Sequence, residues 1–367
     1  MKDEGKFGVQ EATWLCAITI IAKVLFTSPA IVTSQFGPAA WYMSLISVIV
    51  ASVGFAFILK LLKRFPRRGL PEIYELSICR IPGSVFSGIL CIFLLLIVIQ
   101  NLSDFQEALH VYTYHNTPDW YTILIFVICL AILSFLGLET IVRTAKLFSF
   151  FVIAGMLAVL LLAAENYDIT NLFPILGYDI KKNIMHGIIR SSAYGEVIIL
   201  AVFARSLQGT GYVKKAGIAS LTISGIVITL TLLAYILTFP FYIAEEVTSP
   251  MYELSQLIDF GRFVQRIESV FLLVWILVTL ISSTAIFYTF ISIYCFIFRI
   301  DDRRPIIIAG CFITFAGAML QSNVSGVVIS GVKMIRSLGP IPFFIMPMIA
   351  LAVSAIRKKK EGTDDKA

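Results

Sequence analysis

Two side chains in this sequence carry charge where charge is expensive. Lys23 lies in the run Ala22-Lys23-Val24-Leu25-Phe26-Thr27-Ser28-Pro29, inside an apolar segment over residues 11–36. Glu196 lies in Ser191-Ser192-Ala193-Tyr194-Gly195-Glu196, inside a second segment over about 187–207. At 1.5 Å per helical residue, Lys23 falls roughly 18 Å past Glu11 and Glu196 about 12 Å below the opposite surface. A charge at the bilayer centre costs about 2.5–3.5 kcal/mol by insertion scales. Each must therefore be paired, neutral or used. An ammonium and a carboxylate at similar depth can neutralise each other, or a ligand bearing an amine and a carboxylate can compete for both.

The neighbours of these charges are the residues an open turn needs. Pro29 removes a backbone donor and disfavours helix at Ser28, so carbonyls and the hydroxyls of Thr27 and Ser28 become available there. Gly195 supplies backbone freedom beside Tyr194, which brings a ring and a hydroxyl. Interrupted apolar segments at matching places in two halves of a chain mark the binding site of many secondary transporters. The ligand-binding candidates are therefore Lys23, Thr27, Ser28, Tyr194, Gly195 and Glu196.

Other polar groups sit on the spans around them. Gln100, Asp104 and Glu107 recur at helical spacing on one face, and Gln100 and Asp104 join the candidate ligand site. Ser282, Ser283 and Thr284 form a hydroxyl cluster that can coordinate a cation, although such residues also join membrane helices routinely. Lys146, a third of the way into its span, either snorkels to the surface or fills the place of that cation. Ser282, Ser283 and Lys146 are the candidate cation site.

Only 14% of the 367 residues are charged and 58% are hydrophobic, against about a quarter charged in soluble domains. This composition describes a polytopic membrane protein. The six cysteines have no C-x-x-C spacing and suggest neither a metal site nor a disulfide framework. No nucleotide-loop, nucleophile-elbow or metalloprotease motif is present, so the expectation is a protein that is not an enzyme and holds no metal or cofactor. The polar start, Met1–Glu11, lacks a cleavage site, so the first apolar segment is expected to remain as a span.

Ten spans are read at 11–36, 39–62, 84–110, 119–137, 138–164, 187–207, 213–240, 265–298, 304–321 and 338–356, each near the ~20 residues a bilayer requires. With both termini inside, inner segments carry 21 Lys and Arg and outer segments 7, with Lys23 left over; that bias sets the orientation. The net charge of +6 is thus a topology signal, not a nucleic-acid footprint. The fold expected is all-α, a single membrane domain over 1–367. It divides into a first five-helix repeat (1–164), an inverted second repeat (165–356) and a basic cytoplasmic tail (357–367). Helices 1 and 6 are the broken ones. Three connections are long and amphipathic: 171–190 and 241–263 outside, and Pro71–Arg80 inside. These read as interfacial helices on the membrane, or as docking surfaces with Met251 and Leu254 at their centre.

The chain resembles the spore-germination permeases, the B subunits of nutrient germinant receptors, within the amino acid–polyamine–organocation superfamily. The resemblance runs over nearly the whole chain. It is carried by Leu25-Phe26-Thr27-Ser28-Pro29, Asp104-Phe105, Gly137-Leu138-Glu139-Thr140-Ile141-Val142-Arg143-Thr144, Asn171-Leu172-Phe173-Pro174-Ile175-Leu176-Gly177, Tyr194-Gly195-Glu196 and Arg266-Ile267-Glu268-Ser269. It implies a LeuT-like fold with a small-nutrient site at the two helix breaks, an amino acid being the expected ligand. It further implies two partner subunits, a membrane protein with a soluble domain and a lipoprotein, in the inner membrane of the spore. The family often has a glycine-rich first break, where this chain has Ala22-Lys23. Nutrient sensing and cation-coupled amino-acid uptake are both compatible with such a fold.

Overall fold

The computed structural model describes residues 5–25, 28–177, 180–207, 209–244, 249–258, 267–322 and 325–357, and among them the protein is helical with no strand. The first half runs α1 (Val9–Ile21), α2 (Ser28–Phe36), α3 (Ala40–Arg64), α4 (Leu70–Ser77), α5 (Arg80–Tyr112), α6 (Asp119–Leu136) and α7 (Leu138–Leu162). The second half runs α8 (Ile180–Ile189), α9 (Ile198–Val202), α10 (Thr210–Thr238), α11 (Phe241–Ala244), α12 (Pro250–Gln256), α13 (Ile267–Phe298), α14 (Arg304–Ser322), α15 (Ser325–Leu338) and α16 (Met346–Ile356).

Eight helical stretches among the described residues are long and apolar enough to cross a membrane, so the chain is a multi-pass membrane protein. The two expected spans that fail this test fail because they are divided. α1 is 13 residues long, about 20 Å, and α9 only 5, so neither crosses ~30 Å of hydrocarbon alone. The packing is that of two equivalent halves. The first span lies against the seventh (α1 on α10), and the sixth against the second (α8 and the segment after it on α3). The third span lies against the eighth (α5 on α13) and the fourth against the ninth (α6 on α14). Exchanging the halves leaves these pairings unchanged. Lipid-facing residues such as Ile49, Phe150 and Phe312 remain uncovered by protein, as a bilayer solvent requires.

Gly137 alone separates α6 from α7, with φ +89°. That left-handed conformation is costly for any residue with a Cβ, and it turns the chain back after one residue.

Two expectations are corrected. The last span does not begin at 338: α15 already enters the bundle, and after Gly339-Pro340 a π-helical turn, Ile341–Ile345, leads into α16. Its small and charged residues make α15 read as a loop, yet one of its faces is buried. The connecting helices are not free surfaces either. Leu70, Ile73 and Tyr74 of α4 and Met251 and Leu254 of α12 are wholly buried. α4 packs on α5, and α12 on α13, so burial of their apolar faces fixes them within the bundle.

Candidate functional site

Both breaks form where helix geometry tightens. α1 passes into a 3₁₀ turn, Ala22–Leu25, before α2 starts at Ser28-Pro29. α8 passes into a 3₁₀ segment, Arg190–Val197, of 8 residues before α9. Runs of 3₁₀ beyond three or four residues are uncommon because their hydrogen bonds are poorly aligned. Here Ser191, Ser192 and Gly195, all weak helix formers, permit one.

The breaks meet through their charges. The Lys23 ammonium donates to the Glu196 carboxylate and to the Ala193 carbonyl. Lys23 is 5% exposed and Glu196 is 0% exposed, so the pair is desolvated and each charge depends on the other. The Cys16 thiol points at the Glu196 carbonyl from α1, 4.0 Å away.

Two arginines that position along the chain places in outer loops are drawn into this region. Arg190 donates to Gln35 Oε1 at 3.1 Å and Ser28 Oγ at 3.3 Å, tying the second break to α2. Arg336, on α15, places Nη1 3.9 Å from Glu196 Oε1. Its backbone carbonyl accepts a hydrogen bond from Ser192 Oγ at 2.7 Å. Neither stands out in the sequence, because depth is inferred there from chain position, whereas segments next to a break bend inward. The available signals are the adjacency of Arg190 to Ser191-Ser192 and the Gly339-Pro340 punctuation after Arg336.

Two crevices open around the breaks, with about 430 and 320 Å³ of unfilled space including their mouths. Lys23 and Ser28 line both. The larger adds Arg190 and Tyr194, whose hydroxyl shares a hydrogen bond of 2.7 Å with Ser44 Oγ. The smaller adds Gln100, Asn101, Asp104 and Arg336. Gln100 Nε2 lies 3.5 Å from Asp104 Oδ1, and both side chains are buried. The start of α12 packs over the first break: Ser249 Oγ donates to the Leu25 carbonyl at 3.5 Å, and the rings of Tyr252 and Tyr112 lie 4.7 Å apart.

The structure thus gathers Lys23, Ser28, Gln100, Asp104, Tyr194 and Glu196 into one region. Thr27 lies outside the described residues. Gly195 serves close packing, since a Cβ there would sit 1.9 Å from Phe343 Cδ2. The expected cation trio does not assemble. Ser282 Oγ donates to the Thr19 carbonyl at 3.4 Å, joining α13 to α1, and the Ser283 hydroxyl is buried with no hydrogen-bond partner among the described residues. Lys146 instead reaches Glu11 Oε1 at 2.7 Å with a partly exposed side chain. Snorkelling to a surface carboxylate is cheaper than a second buried ammonium. Among the described residues no group of His, Cys, Asp and Glu is arranged to hold a metal ion.

Residues 8–327 match a family model described as spore germination protein. Two curated relatives are from Bacillus subtilis (strain 168). Spore germination protein KB is 22% identical over 376 residues, covering 99% of this chain and 98% of the relative. Spore germination protein YndE is 22% identical over 371 residues, covering 97% and 98%. Among solved structures, a substrate-bound, outward-open Na⁺-coupled sialic acid symporter superposes with TM-score 0.68 at 10% identity, covering 96% of this chain and 91% of that one. The nucleobase-cation-symport-1 transporter MHP1, closed with bromovinylhydantoin bound, gives 0.68 at 12% identity, with 95% and 80% covered. A manganese transporter of Eremococcus coleocola gives 0.60 at 14%, with 93% and 78% covered. At such identities these neighbours establish a shared transporter fold and nothing about the ligand.

Proposed function

The chain belongs to the spore germination protein family, and from that premise we propose that it is the membrane subunit of a nutrient-germinant receptor. It binds a small nutrient, an amino acid by preference, where the two helix breaks meet, and its change of state triggers germination. The observation that carries this reading is the convergence of both breaks on the buried Lys23–Glu196 pair, with Lys23 and Ser28 lining both crevices. It sits in the inner membrane of the spore with both termini cytoplasmic and works with two further subunits, a membrane protein bearing a soluble domain and a lipoprotein.

A second reading is a proton- or cation-coupled amino-acid permease, which the superposition on a Na⁺-coupled symporter favours. One paired experiment separates them. Germination of a strain lacking this chain, complemented with wild type or Ser28→Val, is followed across a panel of amino acids and sugars. Uptake of the same radiolabelled compounds is measured in proteoliposomes holding this chain alone. A nutrient-specific response that shifts with Ser28→Val, without concentrative uptake, supports the receptor. Concentrative uptake by the chain alone supports the permease, and a complemented strain with no nutrient response removes the receptor reading.

A further inference from the structure

The charges buried around the breaks do not balance. Among the described residues they are Lys23, Arg190 and Arg336 on one side and Asp104 and Glu196 on the other. Lys23 binds one oxygen of Glu196, and the other, Oε1, has no hydrogen-bond partner among the described residues. Arg190 is held by two neutral oxygens, those of Gln35 and Ser28. Asp104 is near Gln100. The guanidinium of Arg336 faces Glu196 at ion-pair distance. It is 7% exposed, and its Nε and Nη1 have no hydrogen-bond partner among the described residues. Glu196 Oε1, at 3.9 Å, is beyond hydrogen-bond reach. Five donors in a rigid fork are suited to a carboxylate, which they can grip with two parallel bonds. Leaving the Nε and Nη1 donors desolvated without hydrogen bonds is costly.

Arg336 lines the smaller crevice, whose other polar walls are Lys23, Ser28, Gln100, Asn101 and Asp104 and whose apolar walls are Ile97, Val332 and Ile335. We propose that Arg336 is the anchor for the carboxylate of the ligand, placing the ligand's acid group on α15 in this crevice and not on the Lys23–Glu196 pair. The ligand class is then a small carboxylate with a short apolar substituent against Ile97, Val332 and Ile335. Neutral sugars and nucleosides offer no carboxylate to the fork and are not expected to bind in this mode. Where the ligand also has an amine, Asp104 is the acid across the crevice that receives it. This rests on the receptor or permease site lying at the helix breaks, and it names the chemistry of that site.

The test is binding to the purified full chain in nanodiscs, read as ligand-induced shift of the melting temperature over a concentration series. The probes are L-alanine, L-valine and L-leucine, their carboxamides, propionate and isobutyrate, and glucose and inosine. Each is applied to wild type, Arg336→Lys and Arg336→Gln. The expected result is that acids bind wild type at least about tenfold more tightly than the matching amides, a factor equivalent to ~1.4 kcal/mol. Arg336→Gln loses that preference, and Arg336→Lys, a point charge without the fork, keeps part of it. Acid and amide binding wild type equally overturns the anchor while leaving the site at the breaks intact, and this comparison holds even if Arg336→Gln does not fold. An acid preference that survives in Arg336→Gln has the same consequence. Binding of glucose or inosine alone overturns the anchor, and binding of no probe overturns both the anchor and the site.

Discussion

Removing either member of the Lys23–Glu196 pair should be harmful, but unequally so. Breaking a buried ion pair by deleting one partner costs about 3–5 kcal/mol, because the survivor is left desolvated and alone. In Lys23→Met the survivor is Glu196, which still has Arg336 at 3.9 Å. Two unit charges at that distance attract by roughly 4 kcal/mol at an effective dielectric near 20, and a small swing of the guanidinium would turn the contact into a hydrogen bond. In Glu196→Gln the survivors are Lys23, Arg190 and Arg336, three buried cations with Asp104 as the one carboxylate buried beside them among the described residues. The expected order of melting temperatures is wild type, then Lys23→Met, then Glu196→Gln. The double variant should melt above Glu196→Gln, because it sheds a cation together with the anion. Cys16, Cys91, Cys295 and Cys311 are buried thiols, so a thiol-reactive fluorophore reports unfolding directly once exposed Cys79 and partly exposed Cys129 have been replaced by Ser. Additive single effects, or a Lys23→Met variant that melts below Glu196→Gln, would refute the argument that Arg336 shares Glu196.

Gly195→Ala should destabilise by about 1–3 kcal/mol, the usual range for overpacking, since its methyl would meet the Phe343 ring at 1.9 Å; Phe343→Leu in the same chain should recover part of the loss in the melting assay. Met251→Asp should lower folded yield and melting temperature by putting an unpaired charge in a wholly buried position, whereas Ile175→Asp, on the exposed outer loop, should leave both unchanged. Glu11→Gln should change stability by less than about 1 kcal/mol, because the Lys146 pair is partly exposed and screened; a loss beyond about 2 kcal/mol would mean that the pair holds α1 against α7.

Much of this architecture is readable in the sequence because bilayer constraints act on the chain one segment at a time. Apolar length predicts spans, and an intramembrane Lys or Glu stands out against its neighbours, so Lys23, Glu196 and the breaks that hold them are visible without coordinates. What escapes depends on contacts between segments. α12 reads as an amphipathic surface helix, and the walls that α13, α10 and the first break supply turn Met251 and Leu254 into core. Arg190 and Arg336 count as ordinary outer-loop charges until the backbone is seen to turn inward. Lys146 has the right depth for a cation site, yet its long stem allows it to reach Glu11 instead. Sequence spacing gives a side chain's starting point, and for Lys and Arg the end of the side chain lies several ångströms from there.

The arrangement of the crevices bears on how binding becomes a change of shape. A ligand shifts a conformational equilibrium only by the difference in its affinity for the two states, so its contacts must span elements that move relative to one another. The smaller crevice satisfies this condition. Lys23 and Ser28 stand on either side of the first break, Asp104 is on α5, and Arg336 is on α15, whose carbonyl is bonded to Ser192 in the second break. A carboxylate held by Arg336 and competing with Glu196 for its charge would reduce the attraction that reinforces the Lys23–Glu196 pair. The pair and the ligand site are then coupled through one guanidinium, and the energy at stake, roughly 4 kcal/mol at 3.9 Å by the same Coulomb reasoning, exceeds the 1–3 kcal/mol typical of coupling between sites. Replacing Ser192 by Ala, which removes the 2.7 Å tether between α15 and the second break, should therefore weaken the germination response to a saturating carboxylate nutrient more than it weakens binding. Equal losses in germination dose-response and in nanodisc binding would show that the tether holds the site together without transmitting anything.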